Sequence, residues 1–335
     1  MMKTSRDSGL PHQEVCSQEM PPPTVLSKGA VWWLAARPKT LPASVAPLVL
    51  GNALAFGHPA FSWGIALTSL CCAILLQIGV NLANDYFDFK SGVDSGERLG
   101  PVRATQSGLI SEARMCQAMM GVLFGAALLG VVLILRGGES ILLLGIASLL
   151  ASLAYSGGPY PLASHGLGEL TVFVFFGLVA VGASHFLQTG AWSLEALTYG
   201  GIAGLPIAAI MLVNNTRDRD SDKLAGKWTL SARWGRAFSF HLYRALLLIP
   251  FALILLLVLA GPAPGLSLAA VLLLPWAGRL IRKFEAMEGR GFNDLLASTA
   301  RFSLVLCVIL AGVASWASGG ELPPPESGFL YRTAT

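Results

Sequence analysis

Along the chain, apolar runs of nearly bilayer-spanning length alternate with short polar stretches. A helix that crosses a bilayer needs roughly 17 to 25 residues. Nine segments approach that length, near 40–57, 63–83, 115–135, 140–156, 168–189, 196–213, 237–260, 263–280 and 302–318. Pro and Gly interrupt several of them, so their ends are set only to within a few residues. The pattern predicts an all-α membrane protein of about nine transmembrane helices over residues 30–318. Residues 1–29 are polar and Pro-containing, without the apolar core of a signal peptide, and predict a disordered cytoplasmic tail; residues 319–335 predict a second flexible tail.

Composition sharpens this picture. The chain is 54% hydrophobic and only 13% charged, about half the charged share of a soluble domain, and its mean hydropathy is +0.62. Charge placement then orients it, because Lys and Arg concentrate in cytoplasmic loops. With nine spans and the N-terminus inside, twenty of the 23 Lys and Arg residues are cytoplasmic; Arg244 opens the seventh span, and Arg136 and Arg332 are left outside. The net charge of +4 thus reflects topology, and no nucleic-acid partner is implied. The expected place is a membrane, in contact with membrane lipid, with the N-terminus on the cytoplasmic side. Cys71, Cys72 and Cys307 lie within apolar segments and no C-x-x-C occurs, which excludes a zinc site or a disulfide scaffold of the usual kind.

Two polar stretches carry the candidate chemistry: "NDYFDFKSGVDSGERLGPVRATQSGLIS" at 84–111 and "NNTRDRDSDKLAGKWTLSARWGR" at 214–236. Both follow an apolar segment on the cytoplasmic side. Asn214, Asp218 and Asp222 are spaced i, i+4, i+8, along one face of a helix. Asn84 and Asp88 repeat the N-x-x-x-D spacing, after which Gly92 is expected to break the helix and return Asp94 to the same space. Carboxylate and amide oxygens suit Mg²⁺, which takes one or two carboxylates and shares its remaining positions with water and phosphates. Two facing clusters would hold two ions around one diphosphate, with Asp88, Asp94, Asp218 and Asp222 as metal ligands. The interspersed Lys90, Arg98, Arg103, Arg217, Arg219, Lys223 and Lys227 supply the further cations a diphosphate requires.

The plainer readings are that loop charges only set topology, that Asn84 is a helix cap and that Asp94 belongs to a turn. Duplication of the motif argues against them. Asp85 and Asp220 sit off the shared face and rank lower. His165, His185 and His241 have no spaced partners and read as packing residues.

These motifs, with the nine-span plan, resemble the UbiA-type intramembrane prenyltransferases across residues 30–318. "RPKTLPASVAPLVLGNALAF", "NLANDYFDFKSGVD", "ERLGPVRATQSGLIS" and the second acidic stretch look most like the branch of that superfamily that prenylates 1,4-dihydroxy-2-naphthoate in menaquinone synthesis. The resemblance implies a helical bundle around a central cavity, Mg²⁺-diphosphate held beneath a cytoplasmic cap, and transfer of a polyprenyl group to an aromatic acceptor. It assigns Asn84, Asp88 and Asp94 to the first motif, Asn214, Asp218 and Asp222 to the second, Lys223 to a basic position beside it, and Tyr155 to the reacting carbon. Asp88, Asp218 and Tyr155 are then the catalytic candidates. Arg37, Lys90, Arg103 and Gln106 join Asn84, Asn214 and Lys223 as binding candidates for diphosphate or acceptor. After Tyr155 the sequence runs through Pro159 to Leu162 without the lysine of the hydroxybenzoate branch, which favours a different acceptor. The alternatives are prenylation of hydroxybenzoate or homogentisate and, from another class, a cation-coupled transporter, whose acids belong nearer the bilayer midplane.

Overall fold

Helix starts are written locally in the sequence. The side chains of Ser62, Ser193 and Thr229 accept the N–H of Ile65, Ala196 and Ala232 at 3.3, 3.2 and 3.2 Å, capping helices that begin at Trp63, Leu194 and Leu230 and satisfying donors that have no partner within the helix. The computed structural model describes residues 27–92, 99–100 and 103–319. Among these the order is α1 (Lys28–Ala36), α2 (Leu41–Leu54), α3 (Trp63–Lys90), α4 (Glu112–Ala154), α5 (Gly168–Val172), α6 (Ala180–Thr189), α7 (Leu194–Arg217), α8 (Arg219–Leu224), α9 (Leu230–Leu259), α10 (Leu274–Ala286) and α11 (Phe292–Ala317). A π-helical turn, Phe173–Val179, joins α5 to α6. Most of the two expected tails lies outside the described residues, but α1 begins at Lys28, two residues before the boundary expected at 30.

Seven of these helical stretches are long and apolar enough to cross a membrane, against nine apolar segments in the sequence. Two segments, 115–135 and 140–156, run on as the single 43-residue α4, broken in its backbone at Gly138 (φ 63°, ψ −148°). The first segment forms α2, which at 14 residues is too short to span alone. The count of nine is therefore not established.

Helix α7 lies at the centre: 72% of its most apolar stretch is buried, against 22% for α4. A helix apolar on all sides belongs inside a bundle. On α4, Met120, Phe124, Leu128, Val131 and Leu135 are exposed at helical spacing, a stripe suited to lipid rather than water. Around α7, residues of α2, α9, α10 and α11 form the main core, with Leu50, Ile202, Leu212, Tyr243, Phe284 and Phe302 fully buried. The Tyr243 hydroxyl in that core is satisfied by Thr299 at 2.7 Å.

The approach of α7 to the π-helical turn depends on missing side chains. A Cβ on Gly177 would stand 2.6 Å from the Gly200 carbonyl oxygen and 2.7 Å from the Gly204 Cα. Such small-residue crossings are how membrane helices approach closely. At one end of the bundle Arg136 donates to the carbonyls of Ala60 (2.7 Å) and Leu187 (3.1 Å). At the other, Arg236 donates to those of Glu285 and Met287 (2.7 Å each), covering the end of α10. The acidic motifs lie at that second end.

Candidate active site at one end of the bundle

The last turns of α3 place a polar group every three or four residues. Asn81, buried, donates to the Ala36 carbonyl (2.9 Å) and to Thr40 Oγ1 (3.0 Å), fixing the chain between α1 and α2. Asn84 accepts a hydrogen bond from the Ser156 hydroxyl, beyond the end of α4. Asp85 accepts the backbone N–H of Ala104 (2.9 Å) and Thr105 (3.1 Å), and so folds the 103–110 turn back over α3. Asp88, 6% exposed, is ion-paired with Arg103 and lies 2.9 Å from Lys227 Nζ. Arg37, left-handed at the end of α1, adds its positive charge to the field at Asp88. The helix ends at Lys90 and Gly92 follows with φ +67°, the break expected there. Asp94 lies outside the described residues.

The second motif is not one continuous helix. Helix α7 stops at Arg217, Asp218 leaves helical geometry (φ −92°, ψ 5°), and α8 starts at Arg219. The register nevertheless survives, because the Asp218 N–H reaches the Asn214 carbonyl (3.1 Å) and the Asp222 N–H reaches that of Asp218 (2.8 Å). Arg217, 5% exposed, holds this corner. Its Nε and Nη2 grip both Asp218 oxygens (2.8 and 2.6 Å), Nη2 also reaches Asn214 Oδ1 (2.8 Å), and Nη1 reaches Asn293 Oδ1 (2.6 Å). Asn293, at the start of α11, donates in turn to the Leu99 carbonyl (3.0 Å). The paired, planar donors of a guanidinium suit this hub as an ammonium would not.

The two motifs meet. Lys227 bonds to Asp88 of α3 and attracts Asp222 of α8. Burial pushes the Asp222 carboxyl up to about 7; Lys227 pulls it down, while Asp218 and Asp88 push it further up. Asp88 and Asp218 thus both repel the poorly solvated Asp222 carboxylate. Among the described residues no three His, Cys, Asp or Glu side chains form a ready-made metal cage. The donor set still fits Mg²⁺, which asks for one or two carboxylates and completes its octahedron with water and phosphate oxygens.

Tyr155 caps α4, buried, with its hydroxyl 3.2 Å from Met211 Sδ. Burial raises the phenol well above its usual range, and Glu169, Asp88 and Asp222 add to this, so Tyr155 stands beside the acids as a neutral ring. Three expected binding residues are elsewhere. Gln106 is exposed on its turn and Lys90 is exposed above the Tyr86 ring at 5.6 Å. Lys223 is exposed and acts on Asp220, which itself pairs outward with Arg219 at 2.9 Å. Lys223 sits in α8 itself, whereas the chain turns at Gly226 (φ +71°) before Lys227. Sequence reasoning missed the roles of Arg217, Asn293, Ser156 and Asp85, since none follows from the N-x-x-x-D repeat.

Residues 44–290 match the model of the UbiA prenyltransferase family. The chain is 36% identical to a 1,4-dihydroxy-2-naphthoate octaprenyltransferase of Mycobacterium tuberculosis, over 88% of this chain and 98% of that protein. It is 33% identical to the enzyme of the same name from Escherichia coli, with the same shares. UbiA prenyltransferase domain-containing protein 1 of Mus musculus is 32% identical, over 88% of this chain and 87% of its own. Among solved structures, a UbiA homolog from Archaeoglobus fulgidus bound to GPP and Mg²⁺ superposes with a TM-score of 0.65 at 16% identity, covering 85% of this chain and 99% of that one. With its apolar helices, its facing acidic motifs and these relatives, the chain is a multi-pass integral membrane protein that belongs to the UbiA prenyltransferase family.

Proposed function

We propose that this chain transfers a polyprenyl group from polyprenyl diphosphate to 1,4-dihydroxy-2-naphthoate, a step of menaquinone synthesis. The observation that carries the reading is the convergence of Asp88 and Asp222 on Lys227, with Asp218 acting on Asp222, at the end of an apolar bundle. The two 1,4-dihydroxy-2-naphthoate octaprenyltransferases matched over most of the chain support the acceptor. A polyprenyl diphosphate is an apolar tail ending in a concentrated anion, and this site joins lipid-facing helices to a pocket of cations and carboxylates.

The carboxylates are paired with neighbouring cations, Asp88 with Arg103 and Lys227 and Asp218 with Arg217. With a metal-diphosphate bound, Asp88, Asp218 and Asp222 would serve the metal and Arg103, Arg217 and Lys227 the phosphate oxygens. Asp88, with Asp94, would hold one Mg²⁺, and Asp218 with Asp222 a second, Asn84 and Asn214 supplying amide oxygens. Bound Mg²⁺ supplies Lewis-acid stabilisation of the charge that develops on the leaving diphosphate. Below the acids, the face of Tyr155 and the Met211 sulfur shield the allylic carbon from water. A ring beneath a developing cation contributes about 0.5 to 2 kcal/mol. The basic residues gathered at this end argue for a cytoplasmic site in the bacterial inner membrane, with the N-terminus on that side.

Purified protein incubated with radiolabelled polyprenyl diphosphate and a panel of aromatic acids tests the reading. Label should enter dihydroxynaphthoate with Mg²⁺ and stop with EDTA. Transfer to 4-hydroxybenzoate but not to the naphthoate would move the enzyme to another branch of quinone synthesis.

A further inference from the structure

Glu169 takes no part in the reading above, yet it is 5% exposed and stands at the second position of α5. Its Oε1 accepts a hydrogen bond from Asn215 Nδ2 at 3.0 Å, and its Oε2 has no hydrogen-bond partner among the described residues. A buried carboxylate oxygen without a donor is costly, and such groups are uncommon without a functional cause.

Its surroundings indicate what that cause is. Met211, Asn215 and Asp218 follow one another up one side of α7, and at 1.5 Å per residue Asn215 lies about 5 Å and Met211 about 10 Å below Asp218. The diphosphate-binding acids are therefore one storey up. A Cβ built on Gly168 would stand 3.4 Å from Tyr155 Oη and 3.8 Å from Asn215 Nδ2, so Tyr155, Asn215 and the start of α5 meet at one spot. Of the carboxylates acting on Tyr155, Glu169 acts most strongly, ahead of Asp88 and Asp222. A carboxyl oxygen without a partner is thus buried beside the ring assigned to the reacting carbon, at the depth where an aromatic acceptor must lie to meet it.

We propose that Glu169 Oε2 accepts a hydrogen bond from a ring hydroxyl of the aromatic acceptor, fixing which ring carbon faces Tyr155 and selecting hydroxylated acceptors. This rests on the acceptor reading given above. A phenolic hydroxyl is the donor such an oxygen lacks. A site built to bond a hydroxyl also rejects analogues without it, because its own buried group is then left unpaired.

Glu169→Gln tests this with little change of shape. It keeps an oxygen for Asn215 and puts an N–H donor where Oε2 was. In steady-state assays with both substrates varied, KM for dihydroxynaphthoate should rise tenfold or more while KM for polyprenyl diphosphate moves less than twofold. Wild type should discriminate against at least one of the two mono-hydroxy naphthoates, and the variant should lose most of that discrimination. An unchanged acceptor KM, or equal changes in both KM values, would overturn the proposal. Glu169→Asp, which keeps the charge and withdraws it by one methylene, is read by the same split; loss of folding in both variants would assign Glu169 to structure alone and also overturn it. If wild type instead prenylates a different hydroxylated ring, the acceptor assignment fails, and Glu169 is judged by the same comparison on that ring.

Discussion

Two lysines four residues apart beside the second motif face different surroundings. Lys227 reaches Asp88 at 2.9 Å with a partly buried side chain, whereas Lys223 is exposed. Lys227→Met should lower kcat/KM for polyprenyl diphosphate by ten- to a thousandfold, the range of about 1.4 to 4 kcal/mol expected for a charge-assisted contact and the anion it leaves unpaired; Lys223→Met should change it less than threefold. Equal losses in the two would contradict the geometry. Asp88→Ala and Asp218→Ala should each abolish turnover in protein that still inserts, and more than a few per cent of activity in both would remove them from the centre. Asp222 gives a pH signature in the metal-free protein. Its folded pKa of about 7 is raised above the unfolded value, near 3.9 for Asp. Stability from this group is therefore fully present below pH 4 and is lost as pH rises through 7. Thermal unfolding of wild type minus Asp222→Asn should carry that slope, and Mg²⁺ with pyrophosphate should reverse it at pH 8; a difference that is flat with pH would mean that Asp222 is ionised throughout. The repeated N-x-x-x-D singled out Asp88, Asp218 and Asp222 in the sequence. Lys227 over Lys223 was not, because the turn at Gly226 decides it, and Arg217 reads in sequence as one loop cation among several, although it closes a corner of three chain segments.

At the scale of elements, spacing located the helices but not their interruptions. Apolar length found α3, α7, α9 and α11, because burial or lipid contact demands it; it could not tell that 115–135 and 140–156 run on as α4, since Arg136, Gly137 and Gly138 read as a loop and act as a break within a helix. Likewise i, i+4, i+8 spacing suits one straight face, while the Arg217 hub turns the chain at Asp218. The closeness of α7 to the π-helical turn has a sharper test. At Gly204 a Cβ would stand 2.9 Å from both the Gly177 Cα and the Phe173 carbonyl oxygen, whereas at the neighbouring Gly201 nothing lies within 4 Å. Gly204→Ala should lower stability by about 1 to 3 kcal/mol, the usual cost of overpacking, and Gly201→Ala should not lower it. Thermal unfolding in one detergent compares them directly. Since α7 carries Asn214 and Arg217 and precedes Asp218, the Gly204 variant should also weaken diphosphate binding, and a fully stable Gly204→Ala protein would mean that the two helices pack less tightly than their backbones imply.

For the whole molecule the question is which way the bundle faces. Helix α7 has 24 residues, about 36 Å at 1.5 Å per residue, enough to cross a hydrocarbon core of about 30 Å. Ala191, before its start, and Ser221, after its end, therefore belong on opposite sides of the membrane. Ser107 lies on the turn that Asp85 folds over α3, at the end where Lys227 meets Asp88, so it belongs on the side of Ser221. All three positions are exposed. Arg236, Arg279, Arg282, Lys283 and Arg290 lie on or between α9, α10 and α11 near that same end, and basic residues mark the cytoplasmic face. With the five native cysteines replaced by alanine, single cysteines at Ser107 and Ser221 should react with a membrane-impermeant maleimide only in inside-out vesicles, and one at Ala191 only in intact right-side-out cells or spheroplasts. Labelling of Ser107 and Ser221 from opposite sides would dismantle the shared site, because Asp88 and Asp222 could not then face one diphosphate. Labelling of both from outside would leave the site standing and reverse only its orientation, with the consequence that a water-soluble acceptor made in the cytoplasm would have to cross the membrane before it could be prenylated.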